Sequence, residues 1–172
     1  EVRIDRSSHG LAALALLGIV GLAYFNALDA GFVYDDHGSI VENHHVQWES
    51  LSIDGARDAW LRSPTRRWVA NWSFGLNYWL VGLDARAFHA VNVAIHALAV
   101  LGLYVLLVQL GRRAKPAMEG RAVVALAWVA AAVFAVHPIQ TQAVTYVVQR
   151  MASLSGLFCI GSLICYVRAR ST

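Results

Sequence analysis

The sequence predicts an all-α integral membrane protein, and three observations carry that prediction. Hydrophobic residues make up 58% of the chain and charged ones 15%, well under the roughly 25% charged residues of an ordinary soluble domain. Residues 7–28, 87–111, 122–149 and 151–167 hold no Asp, Glu, Lys or Arg. Basic residues gather in short stretches beside these segments, the pattern that sets orientation in multispanning proteins.

Four transmembrane helices are expected, over about residues 10–28, 87–110, 122–136 and 151–167. The first, at 1.5 Å per residue, covers about 28 Å, close to the ~30 Å thickness of a bilayer's hydrocarbon core. A secretory signal also couples a basic start to an apolar run, but no clean small-x-small cleavage site follows here, which favours an anchor. Positive residues accumulate on the cytoplasmic side, placing Arg3, Arg6, Arg112, Arg113, Lys115, Arg121, Arg168 and Arg170 there. Outer loops then cover about residues 29–86 and 137–150. The first carries Asp29, Asp35, Asp36, Glu42, Glu49, Asp54, Asp58 and Asp84 against Arg57, Arg62, Arg66, Arg67 and Arg86. It is expected to face the periplasm or lumen, from a bacterial inner membrane or an ER membrane.

That loop concentrates Trp60, Trp68, Trp72, Tyr78 and Trp79 ahead of the second span. Aromatic residues of this kind favour the headgroup level, so residues 68–83 are expected to form an interfacial helix or the approach to the next span. Ser63-Pro64 supplies a break before it, and residues 82–84 a turn after it. Cys159 and Cys165 lie six positions apart, about 9 Å along a helix axis and on different faces, too far for a disulfide. They read as small apolar packing groups. No internal repeat or low-complexity tract is visible, so residues 1–172 read as one membrane domain. The net charge of +3 is accounted for by the basic clusters beside the spans, which gives a nucleic-acid partner no support.

The candidate chemistry begins at Asp35 and Asp36, just past the first span. If both carboxylates face one cavity, one becomes a general base beside an orienting partner. The competing reading is that the pair solvates a loop or caps a short helix. His37, His44 and His45 are near in sequence but match no metal-ligand spacing, so no metal is implied. His89, Asn92 and His96 fall at i, i+3 and i+7 on one helical face. His89, at the outer end, is expected to border a cavity, and His96 to hydrogen-bond between helices. Pro138 ends the third span. Beyond it, His137 and Arg150 lie in the second outer loop, where an outward Arg either binds a phosphate or anchors the fourth span.

Four blocks together resemble a known family: FVYDD at 32–36, NWSFGLNYWLVGL at 71–83, FHAVN at 88–92 with His96 following, and HPIQTQAVTYVVQR at 137–150. In order, they are similar to the N-terminal part of GT-C membrane glycosyltransferases. The branch they resemble is that of the transmembrane, TPR-containing O-mannosyltransferase-like proteins and their bacterial relatives. The resemblance implies a GT-C-like module that takes a sugar from a polyprenyl or dolichyl phosphate and passes it to a protein or glycan acceptor at the outer face. No metal and no nucleotide-sugar cofactor is then required. It implies Asp35 and Asp36 as the catalytic pair, with the base between them open, and Arg150, with His137, as contacts to the lipid phosphate. Some relatives carry Glu where this chain has Gln142 and Ala152, so any role of those acids does not carry over. Such enzymes have about ten or more spans, so the chain reads as a fragment or a truncated relative. The alternative from another class is a non-enzymatic four-span scaffold.

Overall fold

A computed structural model describes residues 6–170, with side chains from Ser8 onward. Arg3, expected on the basic side, lies outside the described residues. Among the described residues there are helices and turns and no strand. Helix α1 (Arg6–Tyr24) runs into a 3₁₀ turn, Phe25–Asp29. Helices α2 (Ile53–Leu61) and α3 (Trp68–Val81) follow within the first loop. Then come α4 (Ala85–Ala114), α5 (Gly120–Val136), the short α6 (Gln140–Thr145) and α7 (Arg150–Ala169).

Three of these segments, Ser8–Asp29, Ala85–Ala114 and Val147–Ala169, are long and apolar enough to cross a bilayer. Gly120–Val136 is equally apolar but has 17 residues. At 1.5 Å per residue it reaches about 26 Å, short of the ~30 Å core. Where four spans are expected, the structure thus has three full-length candidates and one short apolar helix. The second is also longer than its predicted 24 residues, at 30: it starts two residues early, where the Asp84 side chain accepts a hydrogen bond from the Arg86 N–H at 3.1 Å, and it runs on through Ala114 at its other end.

Helix α4 is the centre of the bundle and packs against α1, α5 and α7. Leu16, Val20 and Tyr24 of α1, Val100, Tyr104 and Val108 of α4, and Ala127, Ala131 and Ala135 of α5 form one core. Small residues let the backbones close up, since hydrocarbon solvent gives apolar side chains no reason to prefer one another over lipid. A Cβ on Gly102 would meet Ile160 of α7, and one on Gly111 would meet Val123 of α5. Polar stitches fix the register: Trp128 Nε1 donates to the Ala12 carbonyl at 3.1 Å, and His9 Nδ1 lies 2.7 Å from Tyr104 Oη. Cys159 and Cys165 are free and exposed on α7, so they are not the packing groups expected.

The first loop has a core of its own. Ile40, Val46, Ala59, Ala70 and Phe74 bury themselves against Phe88 at the start of α4 and against Val147, Val148 and Met151. The chain reaches this state through a π turn at His37–Val41, a 3₁₀ turn at His44–Val46 and the α2–α3 hairpin. Asn71 Nδ2 donates to the carbonyls of Ala59 and Thr65 at 3.2 and 2.7 Å, and Trp72 Nε1 to that of Ala56 at 2.7 Å. The expected helix at 68–83 is α3, which Gly82 terminates with φ of 64°, a conformation glycine adopts without steric cost.

Gly75 is where α3 receives the loop, because a methyl there would overlap the Trp48 indole. Gly75→Ala is therefore expected to lower the unfolding free energy by about 1–3 kcal/mol through overpacking. Gly18→Ala, where a methyl meets nothing within 4 Å, is expected not to lower it, since alanine is the better helix former. Thermal unfolding in detergent micelles checks both.

Candidate functional site

The two adjacent aspartates do not face one cavity. Asp36 is fully buried, and both its oxygens accept backbone N–H groups. Oδ2 takes Val33 at 3.0 Å, closing the turn on itself, and Oδ1 takes Val148 of the second loop at 2.7 Å. A charged acceptor for two N–H groups is among the stronger hydrogen-bond arrangements a protein offers. Asp35 is exposed, and its carboxylate has no hydrogen-bond partner among the described residues. Its backbone N–H donates to Tyr146 Oη at 3.1 Å. Successive residues of the turn thus point opposite ways, one inward as a clamp and one outward as a free carboxylate.

The residue before them is strained. Tyr34 has φ of 46°, and a left-handed conformation at a bulky non-glycine residue costs of order 1–3 kcal/mol. Its ring is 85% exposed and meets Tyr146 edge-on at 6.5 Å. The two clamps on this turn, from Val148 and Tyr146, hold it in that conformation. The second loop therefore decides how the acidic turn of the first is presented.

Arg150, expected to face outward, is instead 0% exposed. A guanidinium has five N–H donors, and here each finds a neutral oxygen. Nε donates to Asn92 Oδ1 at 2.7 Å. Nη1 reaches the Ser73 carbonyl and Oγ at 3.2 and 3.3 Å, and Nη2 the Asn77 Oδ1 and Phe88 carbonyl at 3.0 and 2.9 Å. Its central carbon lies 4.7 Å from the Phe74 ring centroid and 5.4 Å from that of Phe88. Sealed this way, Arg150 has no donor left for a phosphate. It gathers α3, α4 and α7 at one point, and Asn92 extends the network by donating to the carbonyls of Tyr146 and Val147 at 3.2 and 3.3 Å.

His89, expected to border a cavity, is also fully buried, and among the described residues neither ring nitrogen has a hydrogen-bond partner. Asn92 and His96 share its buried face of α4, as the i, i+3, i+7 spacing predicts. His96 Nε2 lies 3.0 Å from the Ala135 carbonyl, joining α4 to α5, the interhelical role expected of it. His137 stays exposed at the end of α5, where its Nδ1 accepts the Ile139 N–H at 3.2 Å. Among the described residues no group of three or more His, Cys, Asp or Glu is placed to hold a metal ion. His45 pairs with Asp58 on α2 instead.

Sequence reasoning did not single out Ser73, Asn77 or Tyr146. A signal for the first two was present: in a helix that is aromatic and apolar apart from them and Asn71, polar residues four apart share one face, and a buried polar face implies a buried polar partner. Nothing in the sequence names that partner as Arg150, 73 to 77 positions away.

Arg150→Lys keeps the charge but not the planar fork that serves five acceptors. It is expected to lower the unfolding free energy by about 2–4 kcal/mol, from hydrogen bonds to a charged group left unmade. Denaturant unfolding in micelles measures this, and an unaltered midpoint would remove Arg150 from its place at the centre of the fold.

The chain aligns with curated proteins along nearly its whole length. It is 31% identical over 165 residues to "Protein O-mannosyl-transferase F38B6.6" of Caenorhabditis elegans, covering 91% of this chain and 23% of that protein. It is 36% identical over 162 residues to "Protein O-mannosyl-transferase tmtc2" of Xenopus laevis, covering 88% of this chain and 18% of that protein. Human "Protein O-mannosyl-transferase TMTC3" is 31% identical over 164 residues, 90% of this chain and 17% of its own length. The chain spans about a fifth of the length of these relatives. No family model matches it, and no solved structure does. An all-α membrane chain that carries these blocks in order and aligns over about nine-tenths of its length with such relatives is a homologue of one segment of the TPR-containing, transmembrane protein O-mannosyltransferase family.

Proposed function

We propose that this chain supplies the outer-face catalytic turn of a glycosyltransferase that uses a sugar carried on polyprenyl or dolichyl phosphate. The acceptor is a hydroxyl of a protein or glycan, and the face is periplasmic or lumenal, opposite the basic clusters. The observation that carries the reading is the asymmetry of the diacid, one carboxylate locked by two backbone N–H groups and the next one free at the surface. The relatives' names support the class of reaction, since each is called a protein O-mannosyl-transferase.

In this reaction Asp35 is the general base. Its carboxylate takes the proton of the acceptor hydroxyl as that oxygen attacks the anomeric carbon of the sugar. The bond from that carbon to the phosphate oxygen breaks, and the lipid phosphate leaves with the electron pair. Asp36 is a positioning residue that holds the turn to the second loop, and His137, exposed at the end of α5, is a candidate contact for the leaving phosphate. Arg150 acts through the fold, holding the segment that clamps the turn.

Asp35→Asn, in the full-length native gene product, is expected to reduce transfer from a polyprenyl-phosphate-linked sugar by about 10²–10⁴-fold, the usual contribution of a general base. Its unfolding midpoint should match that of the unaltered protein. Retained transfer in this variant overturns the assignment, and absence of transfer by the unaltered full-length protein favours a scaffold. Asp36→Asn is expected to behave differently, losing about 1–3 kcal/mol of stability because one buried N–H is left without its acceptor.

A further inference from the structure

With the guanidinium of Arg150 enclosed, the anionic end of a lipid donor needs a seat beyond the single side chain of His137, and a groove between α3 and α7 has the features of one. It has a volume of about 210 Å³ and is lined by Arg66, Arg67 and Trp68 on one side and by Met151, Leu154, Ser155 and Phe158 of α7 on the other. The α7 positions fall at i, i+3, i+4 and i+7, a single stripe on one helical face about 10 Å long. Arg67 Nη1 lies 3.2 Å from the Met151 sulfur, which sets the charged end of the groove at the N-terminal end of that stripe. From there the apolar surface runs down the spanning helix to Phe158, itself exposed.

The charged end is complementary to an anion. No residue lining the groove is acidic. The three ion pairs among the described residues are His45–Asp58, Arg62–Asp58 and Arg86–Asp29, so neither Arg66 nor Arg67 has a carboxylate there. Thioether sulfur is a weak acceptor, so Arg67 gives little up by turning to an oxyanion. Two guanidiniums at a membrane surface favour phosphate, whose oxygens match the planar fork.

We propose that this groove binds the phosphate and the first isoprene units of a polyprenyl-phosphate lipid. Arg66 and Arg67 hold the phosphate, and the α7 stripe from Leu154 to Phe158 takes one chain. The groove is smaller than the ~300–1,000 Å³ of a typical enclosed ligand pocket, which suits one phosphoryl group and one chain better than the two chains of a glycerophospholipid. The identity of the lipid rests on the transferase reading given above. One six-residue stretch of chain, 146–151, links the two sites. Tyr146 and Val148 hold the diacid turn, and Met151 touches Arg67.

The test is binding of a fluorescent polyprenyl phosphate to the full-length native protein in nanodiscs. The double variant Arg66→Gln/Arg67→Gln is expected to weaken binding by about tenfold or more, the loss of at least one charge-assisted contact. Ser155→Trp, which fills the apolar stripe, is expected to weaken the long-chain probe and leave competition by a short-chain, water-soluble alkyl phosphate unchanged. Unaltered probe binding in both variants overturns the proposal. So does phosphatidylglycerol displacing the probe as well as unlabelled polyprenyl phosphate does, since the groove is then a general anionic-lipid site. Asp35→Asn is expected to bind the probe normally. Arginine-dependent binding without transfer would retain the groove and discard the transferase reading. Loss of transfer in Asp35→Asn, with normal probe binding by the arginine variants, would do the reverse.

Discussion

The fold turns on a single buried guanidinium. Arg150 brings a full positive charge into the junction of three helices, and among the described residues no carboxylate lies within ion-pair distance of it. Removing an unpaired charge from water is prohibitive unless its donors are met. Here Asn92, Ser73, Asn77 and the Phe88 carbonyl meet them, with two aromatic faces adding cation–π attraction. Arg150 also stands in the first turn of α7, where the helix dipole disfavours a cation. The arrangement tolerates this because the oxygens around it belong to other elements, whose positions it fixes in return.

From that point the surface around the acidic turn follows. With the start of α7 held against α3 and α4, the turn at Val147–Gln149 is fixed, and its Val148 N–H becomes the clamp for Asp36. Asp36 in turn holds Tyr34 in its strained conformation and leaves Asp35 facing solvent. A buried carboxylate beside an exposed one is thus a consequence of local chain direction together with a distant donor. Strain of this kind persists only where surrounding contacts over-determine it. Here they do so from a loop more than a hundred residues away.

The bilayer imposes the rest of the division. Within the bundle, close approach at Gly102 and Gly111 and a few polar stitches replace the hydrophobic driving force that lipid removes. Outside it, the first loop meets water and can build an ordinary apolar core from Ile40, Val46 and Phe74. Two cores with different physics meet at α4, with Phe88 in the watery one and Val100 in the bundle. The polar face of His89, Asn92 and His96 lies along that same helix between them.

Periodicity and charge, which are properties of consecutive residues, were enough to locate the helices. The charge-free runs coincide with the long apolar helices to within a few residues, Gly82 marked the end of α3, and the spacing of His89, Asn92 and His96 predicted their shared buried face. The same local logic found the apolar run of α5 but not whether its 17 residues cross a membrane, since hydrophobicity reports what a segment avoids and not how far it reaches. The adjacent aspartates were visible as candidates, yet sequence had no means of separating them. Which one is buried depends on the Val148 N–H, 112 positions away. Arg150 shows the limit most plainly: an arginine at the edge of an apolar run reads as surface, because its five acceptors are spread over α3 and α4. The sequence by itself determined which segments are helical and which polar residues are candidates for the chemistry. Only the tertiary structure decided which charges are enclosed and which remain free, since burial and hydrogen-bond satisfaction are set by contacts between segments that no local pattern records.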